Sequence, residues 1–271
     1  SHGSTALQDE TSKSFTYGFV FAPAPNFDVS ADYYHIKLNN EVEYQDSDTI
    51  LREEGDCRLG KTLSGTPVDG NSAFCQQIES QVVRNAATAA YNPEGVTSVL
   101  VLPINAAIDE TSGVDLNAHY RLNTPRAGTF DFNFGATYVI MHRTQLSKDS
   151  PVDNEMTDIY YYLIPRTKAN ASVTWNFHDF TATLYGSRLG GIPNYDGTRR
   201  LAPTFMYNAT LGYRVTPNIN VSLIVDNLFD ARPPRDDTWT SYPYYYLKWF
   251  DAVGRAYFVE MNVKLGGTNG G

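Results

Sequence analysis

The chain has 271 residues and a formal net charge of −9, and 42% of its residues are hydrophobic. This length suits one large domain or two small ones, and the acidic balance argues against a nucleic-acid partner on electrostatic grounds. The mean hydropathy is −0.36, and no apolar run is long enough for a membrane helix.

The first part of the chain predicts two strands joined by a tight turn. Aromatic residues alternate with smaller ones from Phe15 to Phe21, and a second alternating stretch runs from Phe27 to Leu38. A period of two is typical of a β-strand with two unlike faces. The prolines between these stretches predict the turn.

A long polar segment, residues 39–110, separates these strands from the next. It contains Cys57 and Cys75, and an isolated pair in such a loop favours a disulfide and an oxidising compartment over two unpaired thiols. Apolar residues at helical spacing predict a short helix within 76–90, and residues 99–104 predict a short strand. A connection this long argues for a functional loop.

Regular alternation then returns and predicts seven further strands, each with an apolar face opposite polar or charged positions. They are predicted at 114–122, 130–140, 159–177, 180–184, 205–215, 219–225 and 254–265.

The connections between the nine strands follow a rule. Short turns around Pro25, Pro125, Asp179 and Pro217 alternate with long loops, so the long loops lie at one end of a meander. These loops are 39–110, 144–158, 190–200 and 230–250. Loops at one end, long strands and charges opposite an apolar face are typical of an outer-membrane barrel, because such charges do not fit a dry core. The alternative from another class is a soluble, secreted β-rich carbohydrate-binding module, which would purify without detergent.

Five segments, in the same order along the chain, resemble elements of the β-barrel of TonB-dependent outer-membrane receptors. They are Leu7–Ser12 (L-x-P-E-x-S, with Asp9 in place of proline), Asp32–Ile36 (D-Y-Y-x-I), Glu110–Asp115 (E-T-S-G-V-D), Val225–Asp230 (V-x-N-L-F-D) and Gly254–Tyr257 (G-R-x-Y).

The resemblance implies an all-β fold: an antiparallel up-and-down transmembrane β-barrel portion in which residues 1–271 supply about nine C-terminal strands of a 22-stranded barrel. The long loops would be extracellular, the short turns periplasmic, and residues 254–265 the closing strand. The plug domain, which is N-terminal in the family, is expected to be absent from this chain, and the TonB–ExbB–ExbD system would act through that missing region. The implied role is active uptake of a scarce nutrient across the bacterial outer membrane, with outer-membrane lipid as a partner and no cofactor.

Loop 230–250 is the predicted ligand-binding region. Aromatic faces beside polar groups stack on sugar rings or on the aromatic parts of siderophores; the alternative is an aromatic girdle at the membrane interface, to which we assign Tyr160–Tyr162. The expected cargo is a ferric siderophore, the commonest in the family, with an oligosaccharide as the alternative. The candidate ligand residues are Trp239, Tyr242, Tyr244, Arg235 and Asp237.

Enzyme motifs are missing from the sequence. The five histidines are scattered without metal-ligand spacing, and no G-x-S-x-G or phosphate-binding glycine loop occurs. The sequence therefore predicts neither catalysis nor a metal centre.

Overall fold

The computed structural model describes residues 7–62, 65–146, 150–156, 164–247, 249–251 and 253–265. The chain forms two compact units: Ser1–Phe15, His35–Ser112 and Met141–Tyr162 in the first, and Thr16–Tyr34, Gly113–Ile140 and Leu163–Gly271 in the second. In chain order, the elements within the described residues are β1 (Thr11–Ala24), β2 (Phe27–Tyr44), α1 (Ser47–Leu59), α2 (Ala73–Gln81), β3 (Val82–Arg84), β4 (Val96–Val99), β5 (Pro103–Thr124), β6 (Gly128–Gln145), β7 (Asp153–Asn154), β8 (Thr167–Phe177), β9 (Phe180–Leu189), β10 (Thr204–Thr216), β11 (Ile219–Asp226) and β12 (Ala256–Val263). None of the helices in these ranges is long and apolar enough to cross a membrane.

The large sheet is a meander of sequential strands. Its sheet order is β1, β2, β5, β6, β8, β9, β10, β11, β12, which confirms all nine strands predicted from alternation. The predicted short turns are confirmed at 25–26, 125–127, 178–179 and 217–218. The described part of β8 begins at Thr167, and the start of its predicted range, with Tyr160–Tyr162, lies outside the described residues.

Strand register separates the meander into two faces. We call one the apolar face; it is defined by a row of directly paired residues that runs across six strands. This row is Phe132, Val173, Leu184, Ala209, Val225 and Tyr257. The opposite side, the polar face, carries the row Asn133, Ser172, Tyr185 and Asn208.

The apolar face is bare. Leu184 is 44% exposed, Leu211 is 50% exposed and Tyr257 is 64% exposed, so no second layer of the described residues packs on them. Large contiguous apolar surface of this kind is rare on water-soluble proteins. It is the surface that a lipid-facing barrel wall requires.

Aromatic rings follow the apolar face near the short turns. Phe130 and Trp175 stack with centroids 6.3 Å apart, and Trp175 and Phe177 follow at 5.7 Å. The Trp175 indole N–H also donates to the carbonyl of Ala127 at 2.6 Å, which fixes the ring against the turn. Gly128 closes this turn at φ +82°, where a Cβ would lie 2.1 Å from the Asn176 carbonyl oxygen.

Two of the strands are longer than predicted. Because β2 continues to Tyr44 and β5 starts at Pro103, the predicted loop 39–110 is wrong at both ends, and the connection is 45–102. Asn40 adopts φ +57° inside β2, and this interruption breaks the alternation on which the prediction relied. Its carbonyl accepts a hydrogen bond from the Asn105 side chain at 2.7 Å.

The helices of the first unit differ from the sequence prediction. Helix α1 was not predicted, and the predicted helix within 76–90 is wrong in its bounds, since α2 spans Ala73–Gln81. The Ser72 side chain caps α2 by accepting from the Cys75 N–H. The helix ends because Val82 pairs with Val99 in the β3–β4 hairpin. The strand predicted at 99–104 is likewise divided between the end of β4 and the start of β5.

A small core holds the two helices together. Cys57 and Cys75 form a disulfide with their Cα atoms 5.5 Å apart, and they are buried with Phe74 and Ile78. Such a covalent link stabilises a segment mainly by restricting its unfolded state.

Helix α1 also buries a carboxylate. Glu54 is 1% exposed and accepts from Nε of Arg58 at 2.8 Å and Nε of Arg84 at 2.7 Å. A second bond joins Nη2 of Arg84 to the other carboxylate oxygen. The hydrogen bonds from Arg84, together with the charge of Arg58, hold the pKa of Glu54 below its ordinary value.

A second charged group of the first unit, the partly buried His142, lies in β6, 14 residues beyond the start of that strand. The ring nitrogens of His142 contact Asp109 at 3.1 Å and Glu155 at 2.8 Å. A membrane-spanning strand needs only about 9–11 residues, so this group lies past the spanning segment. Burial lowers the pKa of His142, but the two carboxylates outweigh it and raise the value to about 9.

Candidate ligand-binding site

A cavity of about 660 Å³ opens on the polar face of the second unit. This volume lies within the range of roughly 300–1,000 Å³ that small-molecule sites occupy. It is lined by residues of β2, β5, β6, β8, β9 and β10 and by the connection between β11 and β12. Its polar and charged lining residues are Asp32, Asp115, Asn117, Thr137, Lys168, Asn170, Tyr185, Ser187, Arg188, Thr204, Arg232 and Asp251.

Strand register places the polar lining residues side by side. Lys168 of β8 pairs with Thr137 of β6 on one side and with Leu189 of β9 on the other. Asn170, two residues further along β8 and on the same face, pairs with Gly135. A Cβ at Gly135 would lie 3.2 Å from the Asn170 amide, so the glycine keeps this part of the wall open.

The lysine contacts an aromatic ring of the β11–β12 connection. The ammonium of Lys168 lies 4.5 Å from the centroid of the Trp249 ring, a cation–π contact. The neighbouring Thr137 hydroxyl donates to Asp115 at 2.6 Å. An indole from the β11–β12 connection and a strand cation therefore form one edge of the cavity.

The cavity carries charges of both signs. Asp32, Asp115 and Asp251 supply carboxylates, and Lys168 and Arg232 supply cations. Among the described residues none of these five groups forms an ion pair. Their charges are therefore available to a polar or charged ligand.

Two loops of the second unit are tied to each other. The carboxylate of Asp236, which is 3% exposed, accepts from the Tyr195 N–H at 2.7 Å and from the Thr238 hydroxyl at 2.7 Å. Arg199 pairs with Asp237, and its guanidinium holds the pKa of that carboxyl below its ordinary range. These contacts join the β9–β10 connection to the β11–β12 connection.

The five predicted ligand residues all lie in the β11–β12 connection, outside the cavity lining. Trp239 packs between Tyr195 and Tyr246, with ring centroids 5.0 and 5.6 Å away, as part of the contact between the two loops. Asp237 forms an ion pair with Arg199. Tyr242 is 85% exposed and lies 6.2 Å from Tyr244.

The fifth predicted residue, Arg235, forms a separate contact. Its guanidinium lies 5.1 Å from the centroid of the Tyr244 ring. The structure thus divides the predicted set into a loop-packing group, Trp239 and Asp237, and an exposed group, Arg235, Tyr242 and Tyr244. The assignment of these five to a ligand stays a prediction.

Sequence reasoning did not select the residues that line the cavity. In the sequence, Lys168 and Asp115 are only charged residues within two of the alternating strands, and Trp249 is only one of several aromatic residues in loop 230–250. A usable signal was present, because Lys168 is a charged polar-face residue at the end of β8 that adjoins a long loop. Only the folded structure shows that Trp249 lies against Lys168.

Comparisons with known proteins agree with this fold. A sequence profile of the family described as "TonB dependent receptor-like, beta-barrel" matches residues 1–228. No curated protein sequence matches the chain significantly.

Solved structures show the same fold at low sequence identity. A mutant of the ferric enterobactin receptor PfeA from Pseudomonas aeruginosa is 16% identical, with a TM-score of 0.55 over 95% of this chain and 31% of that one. The siderophore receptor PirA from Acinetobacter baumannii is 14% identical, with a TM-score of 0.54 over 95% and 32%. The copper transporter OprC is 13% identical, with a TM-score of 0.54 over 96% and 32%.

The chain spans about a third of the length of these proteins. The family is one of outer-membrane transporters rather than enzymes. With the family match over most of its length, the bare apolar face and the meander of nine strands, the chain belongs to the TonB-dependent receptor family, as part of the β-barrel.

Proposed function

We propose that this chain is the C-terminal barrel portion of an outer-membrane receptor that takes up a scarce nutrient, with its long loops extracellular and its short turns periplasmic. Energised transport belongs to the full-length receptor, which would engage TonB–ExbB–ExbD through a plug region. The protein itself has no catalytic role in this scheme. The observation that carries the proposal is the cavity on the polar face, edged by Lys168 and Trp249.

We propose a ferric siderophore as the cargo. Ferric chelates are polar, are often anionic and commonly carry planar rings. Such a ligand matches a cavity that has an indole edge and contains Lys168 and Arg232, neither of which forms an ion pair within the described residues. Arg235 is exposed and packs on Tyr244. It adds a further cation, in the same β11–β12 connection as Arg232. Two of the similar structures, a ferric enterobactin receptor and a siderophore receptor, support this class of cargo.

An oligosaccharide is the second candidate. Tyr242 presents an exposed ring, 85% accessible, next to Tyr244, and exposed aromatic faces stack on sugar rings. The two cargo classes would contact different residues. A ferric chelate would depend on Lys168 and Trp249, whereas a glycan would depend on Tyr242.

The test is uptake by the full-length receptor in cells supplied with panels of labelled ferric chelates and oligosaccharides. We expect saturable uptake of a ferric chelate that falls at least tenfold in Trp249→Ala and in Lys168→Gln. Lys264→Gln is the matched control, because it removes the same charge next to the short turn at 217–218.

Three results would overturn the siderophore assignment. One is uptake of glycans alone, lost in Tyr242→Ala. Another is ferric uptake that is unchanged in both cavity variants. The third is an equal loss in Lys264→Gln, which would mean that the lysine acts only through net charge.

A further inference from the structure

Two arginines contact aromatic rings of the apolar face, where charge is unusual. Arg188 pairs in register with Ala169 and with Phe205, and its guanidinium lies 5.9 Å from the Phe205 ring centroid. Arg166 lies just before β8, with its guanidinium 5.8 Å from the Tyr138 ring centroid. Both ring partners are about half exposed, Tyr138 at 46% and Phe205 at 47%.

The two guanidinium groups flank one residue. Arg188 donates from Nη1 to the Thr167 hydroxyl at 2.7 Å, and Arg166 precedes Thr167 in the chain. Thr167 in turn pairs with Tyr138, whose hydroxyl accepts from Arg166 at 3.3 Å. In the part of the chain that the structure describes, neither arginine has a carboxylate within ion-pair distance.

The pair also lies at one edge of the apolar face. Strand β8 begins at Thr167 and β9 ends at Leu189, so both arginines sit at the strand ends that adjoin the long connections. Aromatic rings with cations above them are usual where a barrel wall meets lipid headgroups. Two cations there attract anionic headgroups, although the chain as a whole carries a net charge of −9.

We infer that Arg166 and Arg188 form a binding site for the phosphate group of an anionic outer-leaflet lipid, with Tyr138 and Phe205 packed along its acyl chain. Two guanidinium groups donate to phosphate oxygens in a fixed fork, which a zwitterionic headgroup matches less well. The inference rests on the proposed function only for the choice of leaflet, because the orientation of the barrel decides which leaflet the two arginines meet. It does not depend on the cargo.

The test uses the full-length receptor in detergent micelles that contain phosphatidic acid or phosphatidylcholine, with bound lipid counted by native mass spectrometry. We expect selective retention of phosphatidic acid. Each arginine removed should weaken it about fivefold, so the Arg166→Gln/Arg188→Gln variant should lose about 25-fold. Retention should also fall with added salt.

Three comparisons separate a phosphate site from other roles. Arg188→Lys keeps the charge but not the guanidinium fork, and should bind more weakly than the unmodified receptor and more tightly than Arg188→Gln. Thr167→Val removes the hydroxyl that Arg188 bonds without removing charge, and should bind normally. Arg126→Gln, in the short turn at 125–127, removes one exposed charge at the opposite end of the strands and should have little effect on selectivity.

The inference fails if phosphatidic acid and phosphatidylcholine are retained equally, or if Arg126→Gln weakens retention as much as Arg188→Gln does. It also fails if Thr167→Val lowers retention to the same extent, because the arginine would then act only by supporting the strand end.

Discussion

The buried carboxylate of Glu54 offers a sharp test of how the first unit is held together. Arg84→Met removes two of the three hydrogen bonds to that carboxylate and also the bond from Arg84 to the Glu94 carbonyl. One bond from Arg58 remains, but Arg58 is 49% exposed. Glu54 would then be a nearly uncompensated buried charge.

The magnitude follows from the burial of the two partners. Removing one partner of a buried ion pair costs about 3–5 kcal/mol. Because Arg84 is 25% exposed and Arg58 stays in place, we expect the lower end, about 3 kcal/mol. For local opening of α1 this corresponds to a loss of roughly 150-fold in amide protection.

Hydrogen exchange of the full-length receptor in detergent measures this directly. Protection should fall in peptides covering α1, Ser47–Leu59, and stay unchanged in β10, Thr204–Thr216. Arg58→Met is the matched control and should cost at most about 1 kcal/mol, since that pair is half exposed. The Glu54→Gln/Arg84→Met variant should recover part of the loss because no charge is left buried.

The pH dependence has a defined sign. The pKa of Glu54 is lowered from its ordinary value of 4.5, so its stabilising effect is complete above that pH and is lost as pH falls through the lowered pKa. Unchanged protection of α1 in Arg84→Met, or a double variant as weak as the single one, would refute the reasoning.

Three further predictions concern other structural features. The charged form of His142, with its pKa raised to about 9, stabilises the first unit fully below about pH 6.5 and less as pH rises through 9, so protection of its segment should decline across that range but not in His142→Gln. Replacing Cys57 and Cys75 with serine removes the disulfide that closes the loop between them. The local free energy of unfolding should fall by about 3 kcal/mol, measured by proteolysis of the 45–102 connection. Gly128→Val should lower the melting temperature, because a Cβ there would overlap the Asn176 carbonyl in a left-handed turn; Gly55→Val, where nothing lies near the Cβ, tests whether loss of a glycine alone has the same effect.

The strands could be predicted because each carries its own signal. Alternation depends only on residues two apart, so the apolar row from Phe132 to Tyr257 was visible strand by strand. The turns were equally local, because Pro25, Pro125 and Pro217 restrict the backbone at their own positions.

The helices could not be predicted in the same way. Helix α1 buries Glu53, Glu54 and Asp56 together with Ile50 and Cys57, so acidic residues make up most of its inward side and the helix lacks a clear apolar period. Its stability comes from a distant arginine, Arg84, and from the disulfide rather than from its own pattern. A local signal did exist in the N-cap, since Asp46 accepts from the Thr49 N–H at 2.8 Å.

The candidate site depended on contacts far apart in the chain. Lys168 and Trp249 are 81 positions apart in the sequence, and no pattern in either segment predicts that they meet. The aromatic richness of loop 230–250 marks a connection that also supplies part of the cavity lining. It did not show that Trp239 faces the neighbouring loop while Trp249 faces the cavity.

The most direct test of the central claim is the environment of the two sides of one strand in a bilayer. Single spin labels would be placed in the full-length receptor on the apolar face of β10, at Leu211 and Tyr213, and on its polar face, at Thr210 and Gly212. The account predicts that the first pair is accessible to oxygen dissolved in lipid and the second pair to a water-soluble nickel chelate. Equal accessibility of both pairs to the nickel chelate, or the reverse assignment, would contradict a membrane-spanning wall.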